Sequence, residues 1–151
     1  MVSFLLTWNP RRSARTDQHQ LVERLRVGEA ATSRWGVRTK AIAPGDQLFF
    51  VRLGKPPKGI FGRGTAMSAS YRDLHWDETK RSAGKTTLFV TVQFVELLDT
   101  DAQPIIGLDQ LAVPPFTAVN WCAQGSGHFI PEPVAEALSM KWQEHLNGIS
   151  R

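Results

Sequence analysis

Pro44-Gly45-Asp46, then Gln47-Leu48-Phe49-Phe50-Val51-Arg52-Leu53, then Gly54-Lys55-Pro56-Pro57-Lys58-Gly59, then Ile60-Phe61-Gly62-Arg63-Gly64-Thr65-Ala66-Met67-Ser68 is the stretch that decides the fold class. Proline fixes φ and glycine supplies positive φ, so the first three residues read as a turn. The apolar, aromatic run behind it reads as a strand. A Gly/Pro/Lys loop separates it from a second strand in which apolar and small or polar residues alternate. Glycines at 62 and 64 inside that strand predict a bulge or a close backbone approach.

Working outward, residues 2–7 form a β-rich apolar run that stops at Trp8-Asn9-Pro10, where Pro10 cannot continue a ladder. Asp17 followed by Gln20 resembles a capping box and opens a helix bearing Leu21, Val22 and Leu25, with a stop near Gly28. A polar stretch around Arg34-Trp35-Gly36-Val37-Arg38 leads to the turn at 44–46. Residues 69–86 are polar, with Tyr71 and Trp76 among charges. Residues 87–98 are the clearest strand, with Leu88, Val90, Val92, Phe94 and Glu96 on one face and Phe89 and Val95 on the other. The chain is then irregular through Asn120-Trp121. Pro131-Glu132-Pro133 starts a last helix with Ala135, Leu138, Trp142 and Leu146 at helical spacing. Four or five strands with helices near both ends predict an α+β fold, a strongly curved sheet or small barrel. No repeat or linker divides residues 1–151, so one domain is expected.

The 151 residues are 42% hydrophobic and 21% charged, which excludes a disordered chain. No apolar run approaches the roughly 20 residues a membrane helix needs. The opening Met-Val-Ser-Phe-Leu-Leu lacks a basic n-region and is not expected to act as a signal peptide. Cys122 is the single cysteine, which suits a reducing compartment, with the cytoplasm expected. Residues 1–63 carry 12 Lys/Arg against 4 Asp/Glu (+8), and residues 64–151 carry 6 against 10 (−4), giving the total of +4. A basic half beside an acidic half is what a polyanion partner requires, although a solvated basic surface reads the same way.

Catalytic patterns are sparse. His19, His75, His128 and His145 are scattered, with no second His or Cys at metal-ligand spacing, and read as surface or core histidines. Cys122 is expected to be a buried structural thiol. Gly59, Gly62 and Gly64 do not have dinucleotide-binding spacing, so neither cofactor nor metal is expected. Glu78-Thr79-Lys80, with Asp73 or Asp77 as a second carboxylate, has the acid-x-lysine form of some metal-dependent nucleases. Such groups must sit on a core strand to hold a metal against a phosphate. Here Asp77, Glu78 and Lys80 fall in a polar loop, so a nuclease is the weaker alternative and no enzyme is expected.

The aromatic residues carry more. Of five tryptophans, Trp142 is expected in the core, while Trp8, Trp35, Trp76 and Trp121 sit in breaks between elements. A loop tryptophan often plugs a core edge. Near cations such as Arg11, Arg12, Arg34, Arg38, Lys40 and Lys58, the same residues also supply what a base pocket needs: flat faces for stacking and charges for phosphates. Asn9, Ser33, Asp46 and Asn120 offer donors and acceptors for a base edge.

The segment Trp35-Gly36-Val37-Arg38, Pro44-Gly45-Asp46-Gln47-Leu48-Phe49-Phe50 and Lys58-Gly59-Ile60-Phe61-Gly62 resembles the EVE domain, a PUA-like family related to the YTH readers of methylated adenine. Phe4-Leu5-Leu6-Thr7-Trp8-Asn9-Pro10, His75-Trp76-Asp77 and Asn120-Trp121 are similar to a bacterial branch often joined to modification-dependent restriction nucleases. The resemblance implies a PUA-like curved mixed sheet or pseudo-barrel with flanking helices. It further implies an aromatic cage for one modified base: Trp35 as pocket tryptophan, Trp8, Asn9 and Pro10 at its border, Gly36 beside it, and Gly59 to Gly62, Phe61 included, along its floor. The chain departs from common EVE sequences at Thr7-Trp8-Asn9-Pro10, where those have Lys-Ser-Glu-Pro. The function so implied is a DNA-binding reader of 5-methylcytosine or 5-hydroxymethylcytosine, with N6-methyladenine next, and an RNA reader as the alternative. A nuclease domain or subunit is the expected partner. Methyl burial would contribute about 1 kcal/mol and stacking about 1–3 kcal/mol, against a few kcal/mol to flip the base.

Overall fold

The structure is a computed structural model that describes residues 2–11, 18–123 and 125–149. Its order is β1 (Ser3–Trp8), α1 (Gln18–Arg26), β2 (Thr32–Val37), β3 (Gln47–Arg52), β4 (Gly59–Ala66), β5 (Tyr71–Leu74), α2 (Glu78–Ser82), β6 (Thr86–Leu97), β7 (Ile106–Gly107), β8 (His128–Ile130) and α3 (Glu132–Ile149). The class is α+β, as the sequence predicts. Eight strands stand where four or five were expected, joined in one sheet ordered β2-β6-β4-β3-β1-β8, with β5 on β6 and β7 on β4. β1 and β3 run parallel, and the other pairs are antiparallel.

The turn at 44–46 forms as read: the Asp46 carboxylate accepts from Ala43 N at 2.8 Å, and Gly45 N donates to Ala66 O. The glycines of β4 also behave as predicted. Its register against β6 shifts between Arg63 and Gly64, and its register against β3 shifts opposite Phe50/Val51. A Cβ at Gly64 would lie 2.6 Å from Gln93 O, so the backbones approach where no side chain fits.

The sheet is not closed by strand pairing, yet its two ends are tied. Residues 125–127 cross the gap between β1 and β2. Arg38 N donates to Ser126 O, Thr7 N to Ser126 Oγ, Thr7 Oγ1 to Gly125 O, and Gly127 N to Leu5 O. The result is a pseudo-barrel filled by Leu6, Leu48, Phe50, Phe61, Val90, Val92 and Phe94 among others. Leu21 of α1 is buried, with Val22 and Leu25 packed against the core. The expected cap Asp17 lies outside the described residues. In α3 the buried side chains are Val134, Ala135, Leu138 and Trp142, whose indole donates to Glu96 Oε1. Among the described residues no helix is long and apolar enough to cross a membrane.

Candidate nucleic-acid interface

β2 is the strand on which the aromatic residues divide. Side chains alternate across a strand. Trp35 and Val37 therefore turn inward and are buried, while Arg34 and Gly36 face out. The Trp35 indole donates from Nε1 to Thr7 O at 3.1 Å and packs edge-on to Phe50 (4.8 Å) and Phe94 (6.1 Å). Trp8 meets Phe61 at 5.6 Å. Trp8, Trp35 and Phe61 thus line one cavity, with Gln18, Leu21, Phe94 and Leu97 completing the wall. The cavity they leave is about 10 Å³, room for one water and not for a base.

Trp76 lies on the other side of β2. A Cβ on Gly36 would sit 3.7 Å from Cδ1 and Nε1 of Trp76, so the indole stands over this position of the strand with room for a methyl group beneath it. The aromatic residues expected around one base therefore fall into two groups, Trp8, Trp35 and Phe61 inside the barrel and Trp76 outside it. On the outer face His75 lies beside Trp76 (centroids 4.9 Å), Arg34 covers Phe89 (4.1 Å) while pairing with Asp73 (2.9 Å), and Tyr71 flanks Phe89 (6.3 Å). Trp76 stays 43% exposed, against 8%, 6% and 6% for Trp8, Trp35 and Trp121. Burial pushes the His75 imidazole below its ordinary value, Lys80 and Lys85 add to this, and Asp77 opposes it. His75 Nδ1 accepts from Asp77 N, which places the proton of the neutral ring on Nε2.

The remaining expected residues lie elsewhere. Asn9 Oδ1 accepts from Arg11 N and presses on Gly54. Ser33 Oγ donates to Arg34 O. Asp46 is committed to its turn. Asn120 Oδ1 accepts from Cys122 N, and Trp121 donates to Phe116 O, anchoring its own loop. Arg11, Arg34, Arg38, Lys40 and Lys58 are exposed, as phosphate contacts must be, and Arg12 lies outside the described residues. Cys122 is exposed, contrary to expectation, because Trp121 takes the inward position in that turn. The acid-x-lysine triplet lies on α2, a short exposed helix; Asp77 caps it, its Oδ1 accepting from Thr79 N and Lys80 N, which is not the core-strand setting a nuclease uses.

Three features escaped the sequence reading. His19 of α1 meets Asp99 (2.8 Å) and Asp101 (3.4 Å), a pairing across eighty residues that no spacing rule detects. Gln18 and Leu21 close the inner cavity. Arg52, read as an ordinary strand residue, is buried (3% exposed); a charged residue ending an otherwise apolar strand was the available signal.

No protein-family model matches the sequence, and no curated protein does. Solved structures do. A Pseudomonas syringae protein is 20% identical, with a TM-score of 0.66 over 91% of this chain and 97% of that one. A Leishmania major hypothetical protein is 18% identical, with a TM-score of 0.66 over 95% and 96%. Human THYN1, solved in complex with 5-methylcytosine-containing DNA, is 18% identical, with a TM-score of 0.62 over 91% and 95%. At these identities the likeness is one of fold, and the PUA-like class expected from the sequence is consistent with it.

Proposed function

We propose that this chain is a DNA-binding reader of a modified base, and that the base stacks on Trp76. The observation that carries this reading is the outer face of β2, where the half-exposed Trp76 indole lies over Gly36, with the exposed Arg34 and Arg38 two positions either side along the chain. A base needs an accessible aromatic plane and neighbouring cations, and the cluster inside the barrel offers no such plane. The inner tryptophans act as backing: Trp35 fixes β2, and β2 carries Gly36 and its indole. The likeness to THYN1 supports DNA as the polymer and 5-methylcytosine as the first modification to test. Binding without chemistry leaves cleavage to a separate domain or subunit, the setting that the resemblance to the restriction-linked EVE branch implies.

The test is a titration against duplexes of one sequence carrying cytosine, 5-methylcytosine, 5-hydroxymethylcytosine, adenine or N6-methyladenine, with matched RNA as competitor. Preference for one modified duplex, lost in Trp76→Ala, is the expected result. Equal binding to every duplex, or a preference that survives in Trp76→Ala, refutes the assignment.

A further inference from the structure

Arg52 ends β3 and is 3% exposed, the single buried cation among the described residues. Its Nη1 donates to Thr100 Oγ1 at 2.5 Å and its Nη2 reaches Pro56 O at 3.4 Å. Its Cζ lies 5.1 Å from the Trp8 ring centre. Nε is buried and has no partner. Among the described residues no carboxylate comes within ion-pair distance of this guanidinium. Asp99 and Asp101 flank Thr100 and could have served, but both turn to His19.

A guanidinium stays charged in any protein setting, and a buried cation calls for a counter-charge. The described surroundings supply none. β1 and β3 emerge side by side, Trp8 in register with Arg52 and Leu53 N bonded to Trp8 O. The segments that follow, residues 9–11 and 53–58, contain Arg11, Lys55 and Lys58 and no Asp or Glu. All three cations are exposed.

We infer that Arg52 is the seat of a phosphate oxyanion, which reaches it by parting the Asn9 side chain from Gly54, where the 9–11 turn and the 53–58 loop touch. The anion takes the orphan Nε and replaces the long Nη2 contact to Pro56 O, giving the two parallel bonds that a guanidinium forms with a phosphate. The inference rests on the proposed DNA binding only in naming a backbone phosphate as the source; a free phosphate has the same chemistry.

The experiment follows Arg Nε–Hε resonances of the wild-type protein by NMR during titration with inorganic phosphate, with duplex DNA, and with sodium chloride at matched ionic strength. Arg52 Nε–Hε is expected to shift saturably with phosphate and with duplex, and not with chloride. Arg52→Lys keeps the charge but not the fork, and is expected to weaken duplex binding about tenfold. A duplex that binds while Arg52 Nε–Hε stays unmoved overturns the seat and leaves the DNA reading intact. A shift with phosphate from a protein that binds no duplex upholds the seat and refutes DNA as its source. If neither phosphate nor duplex moves the resonance, Arg52 is a structural residue and the inference fails.

Discussion

Trp76 stands over Gly36: a Cβ built on the glycine would lie 3.7 Å from Cδ1 and Nε1 of the indole. That distance is ordinary van der Waals contact, so Gly36→Ala is expected to keep both fold and Trp76 position. Gly36→Leu cannot share the space. It should displace the indole, raise Trp76 solvent exposure in fluorescence quenching, and abolish preference for a modified duplex.

The two tryptophans on either side of β2 should fail in different ways. Trp35 is 6% exposed with its Nε1 bonded to Thr7 O, so Trp35→Ala is expected to cost about 3–5 kcal/mol of stability. Trp76→Ala removes a half-exposed ring and should cost under about 1 kcal/mol while losing base preference. Denaturant unfolding beside duplex titration separates the two. Equal stability losses would contradict the assignment of one ring to the core and the other to the ligand.

Salt dependence reports the phosphate contacts. Lys58→Ala or Arg38→Ala should each lower the slope of log affinity against log salt by about 1, uniformly across sequences, because each removes one neutralised phosphate. A slope unchanged in both variants would move the strand to another face.

His75 titrates below its ordinary value of 6.5, chiefly because it is desolvated. Between the lowered folded-state value and 6.5 the unfolded chain binds more protons, so stability rises with pH across that window and is flat above it. Wild type should therefore lose more stability than His75→Gln when the pH falls from about 7.5 to about 5.5. Denaturant unfolding at both pH values measures this.

Two glycines of β4 give opposite expectations for one substitution. At Gly62 the added methyl would meet Leu97 Cδ1 at 2.9 Å, the end of a flexible side chain. At Gly64 it would meet the Gln93 carbonyl oxygen at 2.6 Å, which is held by the sheet. Gly64→Ala should cost about 1–3 kcal/mol and Gly62→Ala clearly less, read as melting temperatures.

The sheet core was legible because β1, β3, β4 and β6 announce themselves by apolar runs, punctuated by a turn and by glycines. β2 was not, since its outward positions are Thr32, Arg34 and Gly36, and only Trp35 and Val37 betray the period of two. β5, β7 and β8 are four, two and three residues long, too short for any periodicity to register. At the site, composition supplied the tryptophans and the cations. It could not supply the face of β2 each tryptophan occupies, because Trp76 reaches Gly36 through the fold and not through spacing. Arg52 was overlooked for a related reason: a buried charge is recognised by the missing partner, and partners are a property of three dimensions.

The placement of β1 has a consequence for how the chain assembles. Ser3 pairs with Gln47 on one side and with Ile130 on the other. Both partners come later in the sequence, so β1 waits for residues 128–130 before both its edges are covered. Contacts of such long sequence separation slow folding and lengthen the time an apolar strand stays unpaired. Phe4, Leu5 and Leu6 are the residues so exposed during synthesis, which makes residues 3–8 the segment that a chaperone would have reason to hold.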